Sequence, residues 1–135
     1  MMRRAAPLLL LALTTAPAIA EACDWSEPRR TYAEGMAWHC VAFRWADGDT
    51  LTAACHGQAQ PVRVRLRGVD TVERGDPTWS AARAELQRRT QGQPIEVLPR
   101  HRNRNRVVAD VMAAGDNVGL AMDADGWSKA VCPRR

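Results

Sequence analysis

Residues 62–73 read Val-Arg-Val-Arg-Leu-Arg-Gly-Val-Asp-Thr-Val-Glu, and they constrain the fold more than any other stretch. Val62, Val64 and Leu66 alternate with Arg63, Arg65 and Arg67, a period of two that belongs to a half-buried strand. The apolar set faces a core, which leaves three guanidinium groups on the opposite face. Gly68 breaks the alternation, and the chain leaves the strand carrying Asp70 and Glu73. Arginines beside carboxylates at a strand end can hold a phosphate oxygen and a hard cation together.

The first twenty residues stand apart from the fold. Arg3 and Arg4 form a charged start, residues 7–13 are apolar but too few to span a bilayer, and Ala18-Ile19-Ala20 fits a signal-peptidase site. Residues 1–20 are therefore expected to be a cleaved signal peptide, and the protein to be secreted or periplasmic with no membrane partner. The whole chain carries 19 Lys+Arg against 15 Asp+Glu, a balance of +4, and loss of Arg3 and Arg4 leaves +2. So small a global excess argues little for nucleic acid, and local charge matters more. Lys129 is the only lysine, and Arg100, Arg102, Arg104 and Arg106 crowd one short segment. Arginine suits planar, two-point contact with phosphate or carboxylate.

Four cysteines, Cys23, Cys40, Cys55 and Cys132, in a short exported chain point to disulfides and allow three pairings. Cys40 and Cys55 lie equidistant from Asp47-Gly48, so a two-residue hairpin turn there sets them opposite each other. Cys23 and Cys132 would then tie the ends of the domain. His39, Cys40, Cys55 and His56 could also be grouped as a zinc site, but the short Cys-x-x-Cys spacing is absent and export favours the disulfide.

Residues 21–34 are polar and without period, an N-terminal arm, and a single domain is expected over residues 35–135. Its first strand is predicted over residues 35–45 and its second over 50–55, joined by the Asp47-Gly48 hairpin. The arginine strand runs over 62–69. Asp76-Pro77 opens a helix with Asp76 as its cap, Trp79, Ala82 and Leu86 recur at helical spacing, and Gly92 stops it. Residues 94–98 form a short strand, the arginine cluster a basic loop, and residues 106–113 a further strand. Residues 114–116 turn, and 117–124 form a short helix stopped by Gly126. Trp79 and Trp127 are expected in the core. Three strands, a helix and two more strands is the order of a five-stranded OB-fold barrel, mainly β with one longer and one short helix (α+β).

Asp47-Gly48-Asp49-Thr50 by itself is a turn. Asp70-Thr71-Val72-Glu73 adds carboxylates from a second loop, and both loops adjoin the arginine strand. Asp49 and Asp70 are the expected carboxylate ligands of a calcium ion; the plainer alternative is a set of salt bridges to Arg63, Arg65 or Arg67. Arg106, at the threshold of a strand, is expected to grip a phosphate, with its neighbours, Arg102 and Arg104 among them, supplying steering and backbone contact. Asp123-Ala124-Asp125-Gly126 resembles the opening of a calcium loop, but no acidic residue closes it.

Asp47-Gly48-Asp49-Thr50-Leu51, the run from Val64 through Arg65-Leu66-Arg67-Gly68-Val69-Asp70-Thr71-Val72 to Glu73, and Asn105-Arg106-Val107-Val108-Ala109 together resemble the staphylococcal nuclease (thermonuclease) family. The pieces fall in the family's order, over residues 42–129. The resemblance implies an OB barrel with helices, and one calcium ion held by Asp49, Asp70 and the backbone carbonyl of Thr71. It implies that Arg65 and Arg106 bind phosphate, that Glu73 is the catalytic glutamate, and that DNA and/or RNA is hydrolysed to leave 3′-phosphates. The chain departs from the family at Val72, where a proline is usual, and at Arg104-Asn105, where an aromatic and a glycine are common. A monomer is expected. The competing expectation is a non-catalytic OB module that binds single strands, which explains the arginines but not the carboxylates beside them.

Overall fold

Val64 and Leu66 are fully buried, as their alternation requires, and the strand that carries them is paired along both edges. The computed structural model describes residues 36–129. Its elements follow in the order β1 (Trp38–Trp45), β2 (Thr50–Cys55), β3 (Val62–Leu66), α1 (Trp79–Thr90), β4 (Ile95–Asn103), β5 (Arg106–Ala113), β6 (Asp116–Asn117) and α2 (Val118–Ala124). The sheet runs β3-β2-β1-β4-β5-β6, all antiparallel, and β3 pairs again with β5, in parallel. Five strands thus pair in a closed ring, with β6 appended to β5. The architecture is a mostly antiparallel sheet with two helices, of the α+β class.

The inward faces of the ring supply the core: Leu51 from β2, Val64 and Leu66 from β3, Val97 from β4 and Val111 from β5. Leu86 from α1 and Met122 from α2 complete it. Trp38 and Trp45 belong to the same cluster, and the Trp45 indole donates to Thr90 Oγ1 at 2.8 Å, so its polar edge is satisfied inside. Among the described residues, no helix is long and apolar enough to cross a membrane.

The β1–β2 hairpin forms the Cys40–Cys55 disulfide by a route the sequence does not suggest. Its turn is not two residues centred between Asp47 and Gly48. Trp45 pairs with Leu51, and Ala46 N–H donates to the Thr50 carbonyl at 3.0 Å, which centres the loop on Gly48 itself. Continued unbroken, that register would bring Cys40 opposite His56. A bulge between Ala42 and Arg44 inserts one extra residue, and beyond it Cys40 faces Cys55. The two cysteines are bonded, which corrects any grouping of them with His39 and His56 as a metal site.

Other expectations change as well. β3 stops at Leu66 rather than Val69, because Gly68, at φ +94°, turns the chain after Arg67. The helix begins at Trp79: the Asp76 carboxylate instead accepts from the backbone N–H and hydroxyl of Thr78, both at 2.8 Å, closing a turn ahead of it. Trp79 is not in the core but lies half-buried between Arg74 and Arg83, whose guanidinium carbons are 4.9 and 5.8 Å from its ring centre. Trp127 packs against the core's edge. The arginine cluster is a hairpin, not a loop: β4 continues through Pro99 to Asn103, with a register shift between Pro99 and His101 that accommodates the proline. Arg104, at φ +56°, then turns the chain into β5. The proposed signal peptide (1–20), the arm (21–34), Cys23 and Cys132 fall outside the described residues.

Candidate active site

Strand alternation sends Arg63, Arg65 and Arg67 to the outer face of β3. Arg65 is the best anchored of the three. Its Nη1 donates to the carbonyls of Leu66 and Val69, at 2.5 and 2.9 Å. Its Nη2 stands 3.2 Å from Asp49 Oδ2 and 3.1 Å from Asp70 Oδ1, so carboxylates from two separate loops converge on one nitrogen.

Asp49 is held from every side. Leu66 N–H donates to its carbonyl at 2.8 Å, which fastens the β1–β2 loop to the end of β3. Thr71 N–H donates to Oδ2 at 3.0 Å and the Thr50 hydroxyl to Oδ1 at 3.0 Å. The side chain is nearly enclosed, with the residue 5% exposed. Burial pushes its pKa from 3.8 up to about 7, against the pull of the Arg65 guanidinium, and the neighbouring Asp47 carboxyl adds to the rise. Gly48 allows this loop to lie so deep. A Cβ there would stand 2.8 Å from both Thr71 Cγ2 and Oγ1 and 2.9 Å from Ala82 Cβ on α1. Thr71 itself is 1% exposed, and its hydroxyl has no hydrogen-bond partner among the described residues.

Asp70 is fixed by the segment that follows α2. Its N–H donates to Ser128 Oγ at 3.1 Å, and Lys129 N–H donates to its carbonyl at 2.7 Å. The Lys129 ammonium then bridges outward, 3.6 Å from Asp70 Oδ2 and 3.3 Å from Glu73 Oε1. Glu73 is therefore on the same side as Asp70, but its side chain is 77% exposed.

Arg106 opens β5. The parallel register Val64 with Val107 and Arg65 with Val108 sets Arg106 beside Arg63, on the sheet face that Arg65 occupies. Arg102 lies on β4 and Arg104 at the hairpin turn, both exposed, and the pairing of Arg102 with Val107 puts it on the sheet face opposite Arg65 and Arg106. Asp49, Arg65, Asp70 and Thr71 thus form one compact group. Glu73 joins it through Lys129 and Arg106 shares its face, whereas Arg102 and Arg104 are not brought to it.

Three residues of this face escaped the sequence reading. Ser128 and Lys129 reach Asp70 only through the return of the chain after α2, and nothing local marks them. Asp110 is different. It is 7% exposed on β5 and accepts from Arg67 Nη1 at 3.4 Å and from Arg100 Nε at 2.8 Å, with Arg100 Nη2 2.7 Å away in the same ion pair. Val107, Ala109 and Val111 alternate inward, so the same period of two would have put Asp110 on the arginine face.

Among the described residues, no group of three or more His, Cys, Asp or Glu side chains could hold a metal ion. The plainer expectation of ion pairs is met at Arg65, which pairs with both Asp49 and Asp70; beside these two carboxylates the site offers a buried hydroxyl, that of Thr71, with no partner among the described residues, and all are oxygen donors. Such a set fits a hard cation that completes its shell with backbone oxygen and water, rather than zinc. No known protein-family model and no curated protein sequence matches the chain.

Proposed function

We propose that this chain is an exported, calcium-dependent nuclease of the staphylococcal nuclease kind, built on an OB-fold barrel. Its reaction is hydrolysis of phosphodiester bonds in DNA and/or RNA to leave 3′-phosphates. The observation that carries the reading is the convergence of Asp49 and Asp70, from separate loops, on the Arg65 guanidinium. The closed ring of five strands supports the OB-fold part of it, and the Cys40–Cys55 disulfide is compatible with export.

The carboxylates of Asp49 and Asp70 and the Thr71 carbonyl would hold the calcium ion. Bound there, it would supply positive charge to a non-bridging phosphate oxygen and help to acidify water. Arg65 and Arg106 donate to the equatorial oxygens as negative charge builds in the transition state. Two carbonyls and two carboxylates fix the plane of Arg65 and occupy its Nη nitrogens, which leaves its Nε–H as the donor with no partner among the described residues. Glu73, accessible and held at its edge by Lys129, orients the attacking water and accepts its proton at a carboxylate oxygen.

The test is to incubate the protein with DNA and RNA oligonucleotides in calcium and in a chelator, alongside a Glu73→Gln, Arg106→Ala double variant. Calcium should permit cleavage and the chelator abolish it. The double variant should lose on the order of 10²-fold or more in rate. Undiminished turnover by that variant would overturn the assignment. Binding without cleavage in both conditions would favour the non-catalytic module.

A further inference from the structure

The arginines among the described residues fall into two populations. Arg65, Arg67 and Arg100 meet aspartates, and Arg88 and Arg89 meet Glu85. Arg83 donates to the Trp45 carbonyl, while Arg44 and Arg74 lie over the rings of Phe43 and Trp79. Arg63, Arg102, Arg104 and Arg106 have none of these partners, and they are neighbours: Arg63, near the start of β3, lies beside Arg106, and the other two belong to the hairpin that leads into β5. Like charges gathered without counter-charge among the described residues repel one another, and a fold gains nothing by collecting them around one end of the sheet, Arg63 and Arg106 on its outer face and Arg102 beside Val107 on the other. An anion placed among them would reverse the sign of that interaction.

A cleft of about 330 Å³ opens at this place, between the loop at residues 58–61 and the β4–β5 hairpin. Arg63 and Arg102 line it, together with the amide side chains of Gln58, Gln60 and Asn105. Amides both donate and accept, which suits base edges and sugar hydroxyls alike. The cleft is far narrower than a duplex. Arg63 and Arg65 are two residues apart on one face of β3, about 7 Å along the strand, so the cleft begins one short step from the Asp49–Asp70 group.

We infer that this cleft binds the stretch of single-stranded nucleic acid flanking the phosphate at Arg65, with Arg63 and Arg102 on its phosphates and Gln58, Gln60 and Asn105 on base or sugar edges. The ligand class rests on the proposed function, but the binding does not require catalysis. The experiment separates the two. Binding of a short, labelled single-stranded oligodeoxynucleotide is followed by fluorescence anisotropy in chelator, across a salt series, for the unaltered protein, for Arg63→Gln with Arg102→Gln, for each of those two substitutions alone, and for Arg44→Gln on β1 as the control matched in charge to each single variant.

The cleft variant should bind on the order of 10-fold more weakly and lose about 1.4 from the slope of log affinity against log salt, roughly 0.7 per single-strand phosphate contact. Its thermal unfolding should match the unaltered protein's, since neither arginine has an ion-pair or hydrogen-bond partner among the described residues to lose. The control should change little. An unchanged affinity and slope in the cleft variant, or an equal loss in Arg44→Gln, overturns the inference. Displacement by inorganic polyphosphate as effective as by unlabelled oligonucleotide overturns its assignment to nucleic acid. Binding as described in a protein that never cleaves would leave this inference standing while removing the nuclease reading.

Discussion

β3 carries two arginine–aspartate groups side by side on one face, and they are built in opposite senses. At Arg65, one guanidinium serves two carboxylates, Asp49 and Asp70. At Arg67, one carboxylate, Asp110, serves two guanidiniums, those of Arg67 and Arg100. Both are largely buried, so neither owes its character to solvent alone. The Asp110 group is a closed arrangement in which a single buried acid is multiply hydrogen-bonded. The Asp49 group has carboxylate to spare, an acid that burial drives toward neutrality, and an unpartnered threonine hydroxyl at its edge. A buried excess of one sign costs stability unless something else meets it. The contrast teaches that neighbouring arginines on one strand can share a single acid at one step and gather surplus carboxylate at the next.

The largest effect should come from breaking the closed group. Asp110→Ala leaves two partly buried guanidiniums without their shared acid, and should cost about 3–5 kcal/mol of stability, read by denaturant unfolding. Turnover per folded molecule should change far less.

The open group should show its difference in pH. Because Asp49 binds its proton more tightly folded than unfolded, its contribution to stability is fully present below about pH 3.8 and lost as pH rises through about 7. Asn at this position does not titrate. Asp49→Asn should therefore gain stability relative to the unaltered protein across that window, by at most about 4 kcal/mol, measured by unfolding below and above it. A flat difference would mean that Asp49 stays ionised and the two groups are alike.

Exchanging the two arginines sharpens the comparison further. Arg65→Ala should lower kcat by about 10²–10³-fold, whereas Arg67→Ala should act on stability and leave kcat nearly unchanged. Equal losses of kcat would erase the distinction. The smallest effect concerns the seat of the open group: Gly48→Ala forces a methyl against Thr71 and Ala82, and should destabilise by roughly 1–3 kcal/mol in thermal unfolding.

Much of this was legible in local pattern. β2 and β5 end where their composition suggests, and the period of two on β3 assigns every one of its side chains to the correct face. α2 starts where Asn117 can accept from Leu120 N–H, and it ends before Gly126. Less was legible where one residue answers to partners distant in sequence. Trp79 fits a helical core stripe, yet two arginines half-cover it at the surface. Pro99 looks like a strand end, yet a register shift carries β4 past it. The Cys40–Cys55 pairing was anticipated for a reason that proves wrong in detail, since a shifted turn and a compensating bulge cancel.

What the sequence determined by itself is therefore which side chains can share a face, because alternation and capping depend only on near neighbours and the geometry of one peptide after another. It put Arg65 and Arg67 together, named Asp49, Asp70 and Glu73, and required a core beneath them. Only the tertiary structure decided which acid meets which arginine. Closing β3 against both β2 and β5 brings the β1–β2 loop to Arg65 and Asp110 to Arg67, and the return after α2 brings Lys129 between Asp70 and Glu73. Those meetings depend on contacts far apart in the chain, fixed by how the ring closes and not by any stretch that could be read alone.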